Sequence, residues 1–272
     1  MFKINRKTAI IFFAVTLALT LGTAALLVLA LANEYDSALC HFSRSALFAP
    51  AVYIVLGVVC ALGVALCIFS RKTEPDFKKT AGIFESFTSA FSAILIICAL
   101  VFDYIGHAES MKSSAPALVW LYSAFAVLSG AALVMYAIFG SYKSTAAKLL
   151  SLCPPLYCAA QTLILYFDKT IAVNGPIKIL TQLAYVALML MFVADAGIAV
   201  EKKGIYPRYM MFSVWACVMS GTISCAALVA QLMKMVYFEI TLADTCLLFA
   251  LFLLSVSKLY RGVSILPIGE ED

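Results

Sequence analysis

Charge is scarce in this chain. Only 12% of its 272 residues are Asp, Glu, Lys or Arg, about half the share of a soluble domain. Polar connecting segments are scarce too. The longest gap between apolar runs is residues 33–47, and the polar tail begins only after Tyr260. Such gaps leave no room between the runs for a kinase, a nucleotide-binding unit or any other soluble domain. The short motifs that mark such chemistry are also missing: there is no P-loop, no G-x-G-x-x-G, no H-E-x-x-H and no G-x-S-x-G. The chain has just two histidines, His41 and His107.

What is present is apolar. Hydrophobic residues make up 64% of the chain, more than a soluble core can hide. A spanning helix needs roughly 20 mostly apolar residues. Runs of that kind recur at 9–32, 48–70, 82–103, 116–140, 147–167, 177–199, 209–233 and 239–259. They do not alternate apolar and polar residues, as barrel strands do. The pattern predicts an all-α integral membrane protein, a polytopic bundle of about eight transmembrane helices in a single domain. Its solvent is the lipid bilayer.

The basic residues give the orientation. They concentrate on every second loop and on both terminal segments, with only Arg44, Lys112, Lys169, Lys178 and Lys234 on the opposite side. Cytoplasmic loops are the basic ones, so both termini are expected in the cytoplasm. The net charge of +4 is then a topology signal, and no nucleic-acid partner is implied. The first run ends in an A-x-A pattern at Ala30, Leu31 and Ala32, as a cleaved signal peptide would. Its apolar stretch is longer than a signal peptide's core of about 7–15 residues, so a retained span is expected. Of the nine cysteines, Cys40 alone falls in a predicted outer loop. A disulfide framework needs pairs, so the cysteines read as small apolar residues within spans.

Against this background, acids inside apolar runs stand out. Asp195 sits in "LMLMFVADAGIAV" and Glu85 near the start of the third run. A charge deep in a span costs about 2.5–3.5 kcal/mol on insertion scales, which makes such residues candidates for function. Measured from Glu201 and from Lys79, both carboxylates lie about 9 Å inside one predicted edge of the bilayer, at 1.5 Å per residue. Pro154 and Pro155 lie at the same depth from Lys148. Prolines inside a helix remove N–H donors and bend it, so the carbonyls of Leu150 and Ser151 are expected to be freed there. Carboxylates and carbonyls together form a hard-oxygen set suited to a cation or a proton relay.

Glu85, Thr88, Ser89 and Ser92 follow the i, i+3, i+4, i+7 spacing of one helix face, a stripe that could line a path. The candidate polar or ion site is therefore Glu85, Ser89, Pro154, Pro155 and Asp195. The blander alternative makes each acid a membrane-edge anchor, Glu85 paired with Lys78 or Lys79 and Asp195 with Lys202 or Arg208. In that alternative Gln161, Gln182 and Gln231 merely tie helices together.

A weaker outer cluster is Asp103 and His107, four apart in "DYIGHAE", with Asp36 and His41 in the other outer loop of that half. Their spacing matches no recognised metal motif, and no metal or cofactor is expected. Asp244 adds a short polar patch with Thr241 and Thr245, which Lys178 or Lys234 could neutralise. No nucleophile with a base is evident, so an enzyme is not expected. The leading expectation is a carrier for a small solute or ion with a cytoplasm-facing polar site. The alternative is a non-enzymatic sensor, scaffold or subunit acting through a membrane or cytoplasmic protein partner. The short-looped, alanine-rich texture suits the cytoplasmic membrane of a bacterium.

Overall fold

The computed structural model describes residues 6–36, 41–43, 45–70, 73, 75, 82–114, 116–142, 144–167, 175–200, 204–234 and 240–266, and of residues 103–114 and 116 the backbone alone. Among these residues the chain is almost wholly helical. Its elements run α1 (Arg6–Asn33), β1 (Tyr35–Asp36), β2 (His41–Phe42), α2 (Phe48–Phe69), α3 (Ile83–Ser114), α4 (Pro116–Phe139), α5 (Thr145–Leu150), α6 (Cys153–Phe167), α7 (Pro176–Val200), α8 (Tyr206–Leu232) and α9 (Leu242–Ser264). Eight helical segments are long and apolar enough to cross a membrane, α5 and α6 together making one of them. The two short strands pair antiparallel between α1 and α2.

Proline placement explains several boundaries. Pro50, Pro116, Pro154, Pro155, Pro176 and Pro207 all fall within the first turn of a helix. A missing N–H costs nothing there, because the first-turn donors have no helical acceptor. This revises the reading of Pro154 and Pro155 as a bend within one span. The fifth span is broken into two helices by a turn at Ser151 and Leu152, and α6 starts afresh at Cys153. Ser144 caps α5 by accepting from the Ala147 N–H at 3.1 Å.

The spanning helices pack in a definite order. α8 and α9 lie along each other, and α9–α3–α4–α6–α7–α8 form a closed ring in which each helix packs on the next. α1 and α2 pack together outside this ring, both against α8, and α1 also touches α9. α8 and α9 are therefore the most enclosed spans, and α1 and α2 the least. Small residues let the central helices approach. A Cβ at Gly221 would collide with Thr20 of α1 and Phe252 of α9. Outward faces carry Ile11, Leu21, Ile54, Phe87 and Ile138, each more than half exposed. Apolar exposure along entire helices is what a lipid solvent requires.

The cysteines within the spans, Cys60, Cys67, Cys98, Cys153, Cys158, Cys217, Cys225 and Cys246, are free thiols. Cys40 lies outside the described residues.

Candidate functional site

Four charged side chains from three helices meet at one end of the bundle. Glu85 stands in the first turn of α3, Asp195 near the C-terminal end of α7, and Lys258 and Arg261 near that of α9. Lys258 is 1% exposed, Glu85 3%, Asp195 7% and Arg261 11%. The Lys258 ammonium lies 2.9 Å from Glu85 Oε1 and 2.9 Å from Asp195 Oδ2. Arg261 Nη1 is 3.4 Å from Glu85 Oε1 and 3.9 Å from Asp195 Oδ1. The two carboxylates thus share one ammonium, and the set of two anions and two cations is formally neutral. Neutrality is what makes the burial tolerable, since an unpaired ion in a low dielectric is far costlier than a pair.

Local structure aims each group. Glu85 faces the positive N-terminal end of its own helix dipole, while Lys258 and Arg261 face the negative C-terminal end of theirs. Spaced three apart, Lys258 and Arg261 share one face of α9. That end of α9 is locked to α8 by two tyrosines. Tyr209 donates to the Lys258 carbonyl at 2.7 Å and Tyr206 to the Gly262 carbonyl at 3.0 Å. Gly262 permits the approach, because a Cβ there would strike the Met210 sulfur and crowd Tyr209.

Tyr136 of α4 completes the cluster. Its hydroxyl donates to Glu85 Oε1 at 2.5 Å and accepts from Arg261 Nη1. Its ring covers the Lys258 ammonium, 3.6 Å from centroid to Nζ, a cation–π contact that desolvation strengthens. Tyr142 packs against Tyr136 at 5.1 Å between centroids. Gly140 makes that possible: at a φ of 64° it closes α4 with its N–H on the Tyr136 carbonyl at 2.8 Å, and the chain turns back. In the connection after α4, burial first and then the Asp195 charge push the Tyr142 hydroxyl well up from its ordinary range, so it stays neutral.

The hydrogen bonding of Glu85 is lopsided. Oε1 takes the Tyr136, Lys258 and Arg261 donors, whereas Oε2 is buried without a hydrogen-bond partner among the described residues. Ser89, one turn along α3 and wholly buried, is likewise without one. A buried polar atom in this condition costs about 1–3 kcal/mol, and more when charged. Arg261 forms its hydrogen bonds through Nη1; its other nitrogens make none among the described residues.

Of the residues singled out from sequence, Glu85 and Asp195 are brought together, and Ser89 lies one turn from Glu85 on α3. Of the edge anchors weighed for the acids, Lys78, Lys79 and Lys202 lie outside the described residues and Arg208 stands exposed near the start of α8; among the described residues it is Lys258 and Arg261 that pair with both acids. Pro154 and Pro155 are buried at the start of α6, and the cluster draws its side chains from α3, α4, α7 and α9. The α3 stripe is mostly a seam. Thr88 donates to Ser257 at 2.9 Å and Ser92 to the Ala250 carbonyl at 3.1 Å, both on α9.

The outer residues Asp103 and His107 lie on α3, but their side chains are outside the described residues. Asp36 and His41 stand opposite each other across β1–β2. No group of three or more His, Cys, Asp or Glu among the described residues could hold a metal. Thr241 caps α9 and donates to Asp244 at 2.7 Å. Gln231 ties the α8–α9 connection through the Ile240 carbonyl and Thr245.

Lys258 and Arg261 were missed by the hydropathy reading, which ended the last span at 259 and assigned both to a cytoplasmic edge. A signal was present. Val263, Ile265 and Leu266 continue the apolar pattern past both charges, so the helix had reason to carry on. Tyr136 left no comparable trace, since a tyrosine near a helix end is ordinary membrane-interface composition. No protein-family model matches the chain, and neither a curated protein nor a solved structure is significantly similar to it.

Proposed function

We propose that the protein is a carrier of a small ionic solute, with the Glu85–Lys258–Asp195–Arg261 cluster as its binding site and gate. The observation that supports this reading is a buried, neutral charge quartet in which one carboxylate oxygen lacks a hydrogen-bond partner among the described residues. Ion pairs inside a spanning bundle are costly and are usually retained for a solute or ion path. A solute bound among these charges shifts the balance of contacts between α3, α7 and α9, which is what alternating exposure needs. On this reading both termini and the cluster lie on the cytoplasmic side of a cell membrane, an orientation that the bias of basic residues supports. No bond-making chemistry is part of this reading.

Uptake into proteoliposomes tests it. The purified chain is offered radiolabelled rubidium, succinate, or a mixture of the common amino acids, each against protein-free vesicles. Accumulation of one class is expected, and Asp195→Asn should remove it while leaving the helical content unchanged. A folded protein that accumulates none of the three sinks the carrier reading. The second reading is a non-catalytic sensor or scaffold. It is favoured by the mutual satisfaction of the four charges, which clasp α3, α7 and α9 into one unit. In that case Asp195→Asn alters stability and partner capture alone.

A further inference from the structure

The cluster presents two unequal vacancies. Glu85 Oε2 is a buried acceptor with no hydrogen-bond partner among the described residues. The edge of Arg261 that carries Nη2 and Nε is a set of donors without hydrogen bonds among the described residues, on the least buried of the four side chains. Glu85 Oε1 and Arg261 Nη1 are 3.4 Å apart. Each vacancy belongs to the same carboxylate or guanidinium as one of those atoms, so both fall within the length of one small molecule. An acceptor calls for an ammonium or other donor. A guanidinium edge calls for a carboxylate, which it can hold with two parallel hydrogen bonds.

Net charge narrows the choice. The quartet is neutral, so a lone cation or anion would leave one uncompensated charge in a low-dielectric site. A molecule carrying both charges avoids this. Resting on the carrier reading, we infer that the solute is a small zwitterion of the amino-acid class, its ammonium on Glu85 Oε2 and its carboxylate on the free edge of Arg261. Ser89 Oγ, buried one turn from Glu85 and without a hydrogen-bond partner among the described residues, supplies a second acceptor for the ammonium. Tyr136 keeps Glu85 Oε1 and Arg261 Nη1 engaged with each other while the outer atoms take the solute.

The full chain in detergent is screened by thermal unfolding against each common amino acid in turn. The compound giving the largest upward shift is then titrated beside its decarboxylated amine and its deaminated acid. The zwitterion is expected to bind about tenfold or more tightly than either single-charge analogue, the worth of one hydrogen bond to a charged group. Arg261→Lys keeps the charge but loses the fork. It should weaken the zwitterion about tenfold and leave the amine unaffected.

If no amino acid shifts the unfolding midpoint, or if the amine or the acid alone binds as tightly, the zwitterion assignment is overturned. Uptake of rubidium or succinate, with no amino acid bound, would overturn it while leaving the carrier reading intact. Should Arg261→Lys fail to fold, the analogue series on the unaltered chain decides by itself.

Discussion

Carboxylates at the two ends of this bundle are held in opposite ways. At one end Glu85 and Asp195 are buried and answered by whole charges, Lys258 and Arg261. At the other end Glu34, just after α1, is answered by peptide dipoles. Its two oxygens accept from the backbone N–H groups of Leu47, Phe48 and Ala49 at 2.5, 2.8 and 2.9 Å. These are the orphan donors at the start of α2, where Leu47 makes no side-chain cap. Asp244, in the first turn of α9 and away from the cluster, accepts from its capping threonine. The difference follows from the surroundings. Where water is close, partial charges suffice; where it is excluded, only a full counter-ion offsets the lost hydration.

The largest expected effect breaks the buried end. Lys258→Met leaves two carboxylates facing each other with Arg261 alone between them. Removing one member of a buried set costs about 3–5 kcal/mol, to be read from unfolding in mixed detergent micelles. Adding Asp195→Asn to that variant restores neutrality and should recover part of the loss. A double variant as unstable as the single one would mean that lost packing, and not uncompensated charge, sets the cost.

A smaller effect separates hydroxyl from ring at Tyr136. Tyr136→Phe removes the bonds to Glu85 and Arg261 but keeps the aromatic face over Lys258. The expected loss is about 1.5–3 kcal/mol, the range for hydrogen bonds to charged groups. An unchanged midpoint would show that the hydroxyl adds nothing to the ion pairs.

The smallest effect is at the wet end and is seen through pH. Burial raises the Glu34 carboxyl, but the three backbone N–H bonds outweigh it and hold the group below the usual carboxylate range. A group lowered in the folded state adds stability above its unfolded pKa. That stability is lost as pH falls through the carboxylate range toward the folded value. The unfolding midpoint should therefore decline on acidification, and Glu34→Gln should flatten part of that decline. An identical pH profile in the variant would assign the acid sensitivity elsewhere.

Much of the architecture was legible because hydropathy is a local sum. Each span can be recognised from its own residues, and the eight predicted runs all correspond to helical segments. Boundaries drifted where a local sum misleads. α9 continues to Ser264 because its charges are matched by distant partners, and the fifth run breaks because two prolines suit a helix start better than a helix interior. The site was half legible. Glu85 and Asp195 stood out as acids in apolar runs, but a lysine and an arginine near a helix end look like ordinary membrane-edge residues.

The sequence by itself determined that this chain is a set of apolar helices carrying a few misplaced carboxylates, because burial in lipid is decided residue by residue. Which charge answers which was decided by the tertiary structure alone. Glu85, Asp195 and Lys258 are far apart in the chain and meet because α3 and α8 both pack on α9 while α7 packs on α8. Coulomb attraction depends on distance in space, and that distance exists only once the ring of helices has closed.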